Sequence, residues 1–157
     1  MEIERKYLID KNNIPFSLND YPSHIIEQAY LCTNPVVRVR KEDNDYYMTY
    51  KGQGLMVREE YNLPLTADAY THLLHKADGN IITKTRYLIP LANNNLGKDL
   101  LIELDVFEGA FEGLYLAEVE FSSKDDADSF LPPTWFGEDV TLDGRYHNSR
   151  MSQAKLQ

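Results

Sequence analysis

The sequence predicts a mainly β protein of the α+β kind, an antiparallel meander or barrel with a charged interior and a few helices packed outside. Three observations carry this reading. Stretches of alternating polarity dominate the 157 residues. Turn-rich segments such as DKNN, CTNP, EDND, ANNNLGKD and FEGAFEG separate them at short intervals. Same-face charges within a stretch mostly share one sign, whereas a solubilising surface intersperses the two.

Residues 1–9, MEIERKYLI, form the first expected strand, with Glu2, Glu4 and Lys6 on one face and Ile3, Tyr7 and Ile9 on the other with Arg5. Residues 25–31 form the second, and in 36–42 Arg38 and Arg40 share a face opposite Val37 and Val39. In 45–51, Lys51 is in step with Thr49 and Tyr47; residues 57–63 read as one strand with Arg58, Glu60 and Asn62 on one face. A helix follows, capped by Thr66, with Tyr70, Leu73, Leu74 and Ala77 at helical spacing and Gly79 as its stop. Strand 81–90 places Lys84 beside Arg86, strand 99–107 sets Glu103 and Asp105 opposite Ile102 and Leu104, and strand 115–122 sets Glu118 and Glu120 opposite Val119 and Phe121. Ser123 caps a second helix that breaks at Pro132, with Ala127, Phe130 and Leu131 facing inward. Residues 139–144 are the last expected strand, and a short helix through Met151 and Ala154 is expected over 149–156. Neither repeat nor linker divides the chain, so residues 1–157 are read as one domain.

Composition limits what this domain does. A formal net charge of −9 and a pI near 4.8 work against binding nucleic acid or an anionic membrane through long-range attraction. No apolar run is long enough to span a bilayer, and no export signal is visible. Cys32 is the single cysteine, in keeping with a reducing compartment, and the expected location is the cytoplasm. The histidines His24, His72, His75 and His147 lack metal-ligand spacing, and Gly52 and Gly54 read as a flexible strand connection. Trp135 reads as a packed anchor of the outer layer.

Like charges about 7 Å apart on one strand face repel in any medium. Their sorting makes sense if the face lines a shared cavity. Arg and Lys then converge on a polyanion, while carboxylates hold Mg²⁺ or Mn²⁺, hard cations that prefer oxygen and bridge to phosphates. The substrate class that needs both is a metal-bound polyphosphate, taken as a small molecule. The apolar faces then point outward and need the helices to cover them.

These residues resemble the CYTH or triphosphate tunnel metalloenzyme family, in its short bacterial form. EIERK matches the family's ExExK signature through Glu2, Glu4 and Lys6, and QAYL, VRVR, TYKG, KTRY, AEVEF and WFGEDVTLDGRYHN follow in order. The resemblance implies an eight-stranded antiparallel barrel forming a tunnel for a triphosphate and a divalent metal. By motif, Lys6, Arg38, Arg40, Lys51, Lys84 and Arg86 would grip phosphate, with Arg145 a later addition. Glu2, Glu4, Asp105, Glu118 and Glu120 would serve the metal, with Glu60, Asn62 and Glu103 in secondary roles. Lys6, Glu4 and Tyr30 would take part in catalysis.

Two positions depart from the family pattern. Asn62 stands where many short bacterial members carry an acid, and Asp139 replaces the Glu of EVT. The activity implied is metal-dependent hydrolysis of a triphosphate, foremost inorganic tripolyphosphate to pyrophosphate and phosphate. A class IV-type adenylyl cyclase, a thiamine triphosphatase and a non-catalytic polyphosphate- or nucleotide-binding module stay open as alternatives. A homodimer is compatible with this reading.

Overall fold

A computed structural model describes residues 1–155. Strands β1 (Glu2–Leu8), β2 (Ser23–Thr33), β3 (Val36–Glu42), β4 (Asp45–Lys51), β5 (Val57–Arg58) and β6 (Glu60–Pro64) come first. Helix α1 (Ala67–Leu74), strands β7 (Asp78–Leu91), β8 (Leu100–Glu108) and β9 (Tyr115–Glu120), and helices α2 (Lys124–Ser129) and α3 (Asn148–Met151) follow. Among the described residues the strands make one antiparallel sheet in the order β5-β1-β9-β8-β7-β2-β3-β4-β6.

The two outermost strands of that order, β5 and β6, are separated along the chain by Glu59 alone. The sheet therefore curls until its edges meet, which removes the exposed edges of an open sheet. The single strand expected over 57–63 breaks at Glu59, because Arg58 pairs with Glu2 of β1 while Glu60 pairs with Lys51 of β4. Counted as one bent strand, these two make the ring eight-stranded, as the resemblance implies.

The burial is inside-out. Ile89, Ile102, Leu104, Ala117 and Val119 turn away from the bore and are buried beneath Ala127 and Phe130, which α2 and its end supply. Trp135 packs edge-on against Phe16 and Phe136, with ring centroids 5.5 and 4.7 Å away. Tyr70 of α1 covers β3 and β4, resting on Tyr46 and donating to Glu27 at 2.8 Å. At one level the bore itself is apolar. Ile82 shares a face with Lys84, Phe107 with Asp105 and Leu116 with Glu118, and these three pack with Met151 of α3 into an apolar plug.

Several expected elements differ. Helix α1 begins at its Thr66 cap, whose hydroxyl accepts from the Ala69 N–H, but ends at Leu74; Gly79 already lies in β7. Residues 139–144 do not form a strand. Asp139 makes one isolated bridge with Tyr7, Val140 N–H donates to the Lys6 carbonyl at 2.8 Å, and the chain then turns. Gly137 permits that approach, since a Cβ there would lie 2.6 Å from the Leu8 carbonyl oxygen. Leu131, expected inward, is exposed because α2 stops at Ser129 and the chain extends toward Pro132 and Pro133. The last helix spans Asn148–Met151 with Ala154 outside it, and the expected end at 156 lies outside the described residues. No described helix is long and apolar enough to cross a membrane.

Candidate functional site

Strand alternation delivers the charged side chains to one cavity of about 260 Å³ inside the barrel. Glu2, Glu4 and Lys6 arrive from β1, Tyr30 from β2, Arg38 and Arg40 from β3, Lys51 from β4 and Glu60 from β6. Lys84 and Arg86 come from β7, Glu103 from β8, and Glu118 and Glu120 from β9. Register sorts them further. Glu4 lies opposite Glu120 and Glu118 opposite Glu103, so β1, β9 and β8 make an acidic wall. The strands β7, β3 and β4 make a basic one.

Ions pair both between the walls and within the acidic one. Lys51 Nζ lies 3.0 Å from Glu2 Oε1, Lys6 Nζ lies 3.3 Å from Glu118 Oε1, and Arg86 Nη1 lies 2.9 Å from Glu103 Oε2. Glu118 is held well below the usual carboxylate range. Burial opposes its charge, but Lys6, Arg86 and Lys84 outweigh that. Lys6 rises in turn because Glu118 and Glu4 outweigh its own burial.

Within each wall, like charges crowd one another and shift each other's proton affinity. Glu4 makes no hydrogen bond or ion pair among the described residues, and burial, then Glu118 and Glu2, push its carboxyl up to about 8. Glu2 rises to about 7 through burial and its neighbour Glu60, although Lys51 pulls it the other way. Glu60 is the exception on this wall: Oε2 makes no hydrogen bond but lies 3.4 Å from Lys51 Nζ, Asn62 donates to its other oxygen, and its carboxyl is held below the usual range despite burial. On the basic wall, Arg40 falls to about 10 through burial and the nearby Arg38 and Arg86. Arg38 donates through Nη2 to Thr49 at 3.1 Å, but its Nε is buried and unbonded. A polyanion suits the second wall and a hard cation the first. The acidic donors are all carboxylate oxygens, which fits Mg²⁺ or Mn²⁺, although among the described residues no three of them stand together as a preformed ligand set.

Three expected site residues, Asp105, Arg145 and Asn62, do not line the cavity. Asp105 is on the inward face of β8 but fully buried between its neighbours, its two oxygens taken by Arg86 at 2.7 and 2.9 Å and by Lys84 at 2.7 Å. It therefore orders the two cations Lys84 and Arg86 and is not presented to a metal. Arg145 sits on an exposed 3-10 turn, its guanidinium bonded to Asp143 at 2.6 Å and its side chain 76% exposed. Asn62 also stays outside the lining but bridges to it, accepting from Thr49 and donating to Glu60 at 2.8 Å. Asp139 pairs with Arg5 at 2.6 Å on the outside of β1. Arg58, Asn148 and Ser149 line the cavity though the sequence reading left them out of the site, and Gln28 lies fully buried beside it. Gln28 opens the QAYL motif and Asn148 closes RYHN, but as neutral amides they carry no charge pattern to betray them. None of the four histidines lines the cavity; buried His147 bonds the Thr141 carbonyl at 3.1 Å and is lowered to about 4 by burial and Lys6.

The family model described as "CYTH domain" matches residues 1–154. An inorganic triphosphatase of Nitrosomonas europaea is 37% identical over 154 residues, covering 96% of each chain. One of Acetivibrio thermocellus is 33% identical over 155 residues, covering 96% of this chain and 92% of its own. A crystal structure of an inorganic triphosphatase superposes with a TM-score of 0.72 at 35% identity, covering 100% of this chain and 97% of that one. With the ring of strands, the two-signed bore and these relatives agreeing over nearly its whole length, the chain belongs to the CYTH domain family.

Proposed function

We propose that this protein is a divalent-metal-dependent inorganic triphosphatase, hydrolysing tripolyphosphate to pyrophosphate and phosphate. The observation that carries the proposal is one cavity inside the barrel in which a carboxylate-lined wall faces an Arg- and Lys-lined one. The similar proteins named inorganic triphosphatase support the same reaction.

Phosphoryl transfer asks little covalent chemistry of a protein and much positioning and charge placement. Arg38 and Arg40 present guanidinium donors to non-bridging phosphate oxygens, with Lys51, Lys84 and Arg86 adding positive charge. Lys6 sits within the acidic wall and neutralises charge that gathers on the oxygen leaving with pyrophosphate. Glu2, Glu4 and Glu120 would hold Mg²⁺ or Mn²⁺. Bound there, the cation would supply positive charge to substrate oxygens and lower the pKa of a water. Water adds to a terminal phosphorus as the bond to its bridging oxygen breaks, and a carboxylate of the acidic wall takes the water's proton. The lone cysteine fits work in the reducing cytoplasm.

The test is direct. Purified protein with Mg²⁺ or Mn²⁺ is given tripolyphosphate, ATP and thiamine triphosphate in parallel. Phosphate and pyrophosphate released preferentially from tripolyphosphate are expected. Cyclic nucleotide from ATP, or binding without turnover, overturns the proposal.

A further inference from the structure

Beside the basic wall lies a row of uncharged groups whose hydrogen-bond directions are fixed by Arg40. Arg40 Nε can only donate, so the Gln28 atom 2.8 Å from it is the carbonyl oxygen. The other end of Gln28 is then the NH₂ group, which donates to the Tyr30 hydroxyl at 3.1 Å and to Asn148 Oδ1 at 2.9 Å. Since that NH₂ group must donate, the Asn148 atom it meets is the carbonyl oxygen, which also takes a hydrogen bond from Lys84 Nζ at 2.9 Å. Both amides are thus oriented without ambiguity, although amide orientation is ordinarily a matter of assignment.

Two free donors result. Asn148 has its oxygen doubly occupied, its NH₂ group has no partner among the described residues, and the residue lines the cavity. Tyr30 accepts from Gln28, which leaves its own O–H to donate, and it too lines the cavity. Phosphate oxygens accept and never donate, so a lining amide turned the other way would oppose them. We infer that Asn148 and Tyr30 are neutral donors to the substrate's phosphate oxygens, and that fully buried Gln28 is the positioning residue that fixes their polarity.

This rests on the triphosphate reading above and adds binding residues to it. An uncharged donor selects by direction without adding to the repulsion among Arg40, Lys84 and Arg86. Arg40, Gln28, Asn148 and Lys84 form one continuous hydrogen-bonded row.

The experiment uses ¹⁵N-labelled whole protein titrated with tripolyphosphate in the absence of metal, following the Asn148 side-chain amide, which Asn148→Ala identifies. That resonance is expected to move with the same dissociation constant as the backbone amides of the bore. If the backbone amides move and the Asn148 side chain does not, the inference fails while the triphosphate reading stands. If nothing in the bore moves, with or without Mg²⁺, both fail.

Kinetics supply the second arm. Tyr30→Phe and Asn148→Asp should each raise KM about tenfold or more, as loss of one hydrogen bond to a charged group does, with a smaller effect on kcat. Gln28→Glu should lower kcat/KM, and that loss should shrink when combined with Tyr30→Phe and Asn148→Asp, because Gln28 acts through them. Additive losses would remove the positioning role.

Discussion

Arg86 holds Asp105 with two parallel hydrogen bonds, Nε to Oδ1 at 2.7 Å and Nη2 to Oδ2 at 2.9 Å, and Lys84 reaches Oδ2 from the other side at 2.7 Å. Removing one partner of a buried pair strands the remaining charge, at a cost of about 3–5 kcal/mol. Asp105→Asn is expected to destabilise the metal-free protein by that order, measured by urea unfolding with a chelator present. Unchanged metal-free stability with weaker Mg²⁺ binding would instead make Asp105 a metal ligand.

Glu4 and Glu2, raised to about 8 and about 7, give the stability a pH dependence of defined sign. A carboxyl raised on folding binds its proton more tightly folded than unfolded. Its contribution is complete below the unfolded value and is lost as pH rises through the folded one. The difference in metal-free melting temperature between the native protein and Glu4→Gln should therefore move against the native protein between about pH 4.5 and 8, a comparison that cancels the opposite contributions of His147, lowered to about 4, and Lys84, lowered to about 7. Mg²⁺ should offset that movement most at the alkaline end, by about 2–4 °C for each kcal/mol. Glu118, shifted the other way, acts only at lower pH. A Mg²⁺-induced shift independent of pH would contradict this.

The same residue offers a cleaner separation of fold from turnover. Glu4→Gln keeps the shape and removes a buried charge. It should raise metal-free stability at pH 8 or above while lowering Mg²⁺-supported turnover by about 10²-fold or more, as loss of one preorganised charge-stabilising group does. Thermal melts and phosphate release check the two halves independently.

Asn62 donates to Glu60 at 2.8 Å, which an ionised acid cannot do. Asn62→Asp therefore trades an attraction for a repulsion in the metal-free protein. Stability should fall by about 1 kcal/mol, and the Mg²⁺ concentration for half-maximal activity should fall as negative charge near the acidic wall rises. Titration of activity against Mg²⁺ decides it.

Two arginines give opposite expectations. Arg145 is turned to solvent and bonded to Asp143, so Arg145→Ala should leave kcat/KM within about twofold. Arg38, buried with an unbonded Nε, should lose about tenfold or more in kcat/KM on Arg38→Ala. Steady-state hydrolysis of tripolyphosphate compares them.

The inward face was legible because charge and period coincide. Arg38 with Arg40, Lys84 with Arg86, and Glu118 with Glu120 alternate with apolar partners, and a repeat of two leaves only the choice of which face is inside. Position along the bore was not legible. Glu103 and Asp105 look equivalent in sequence, yet one faces the cavity and the other is spent on Arg86 and Lys84, a difference that depends on cross-strand register. Nor could alternation show the break at Glu59, since Arg58, Glu60 and Asn62 keep their parity while their partners lie at opposite edges of the sheet. The segment at 139–144 has strand-like composition, but β5 already pairs with Glu2 and Ile3 at the start of β1's free edge, and the chain turns after a single bridge to Tyr7.

That division between β5 and β6 leaves the ring with one slender fastening. Only two residues, Val57 and Arg58, join β5 to β1, whereas β7 and β8 share nine pairs. Amide protons at this seam should exchange with solvent ahead of those in the longer strands. Any transient widening of the bore then begins there, unbuttoning the wall beside Glu2 while the rows that carry Lys84, Arg86 and Glu118 stay in register.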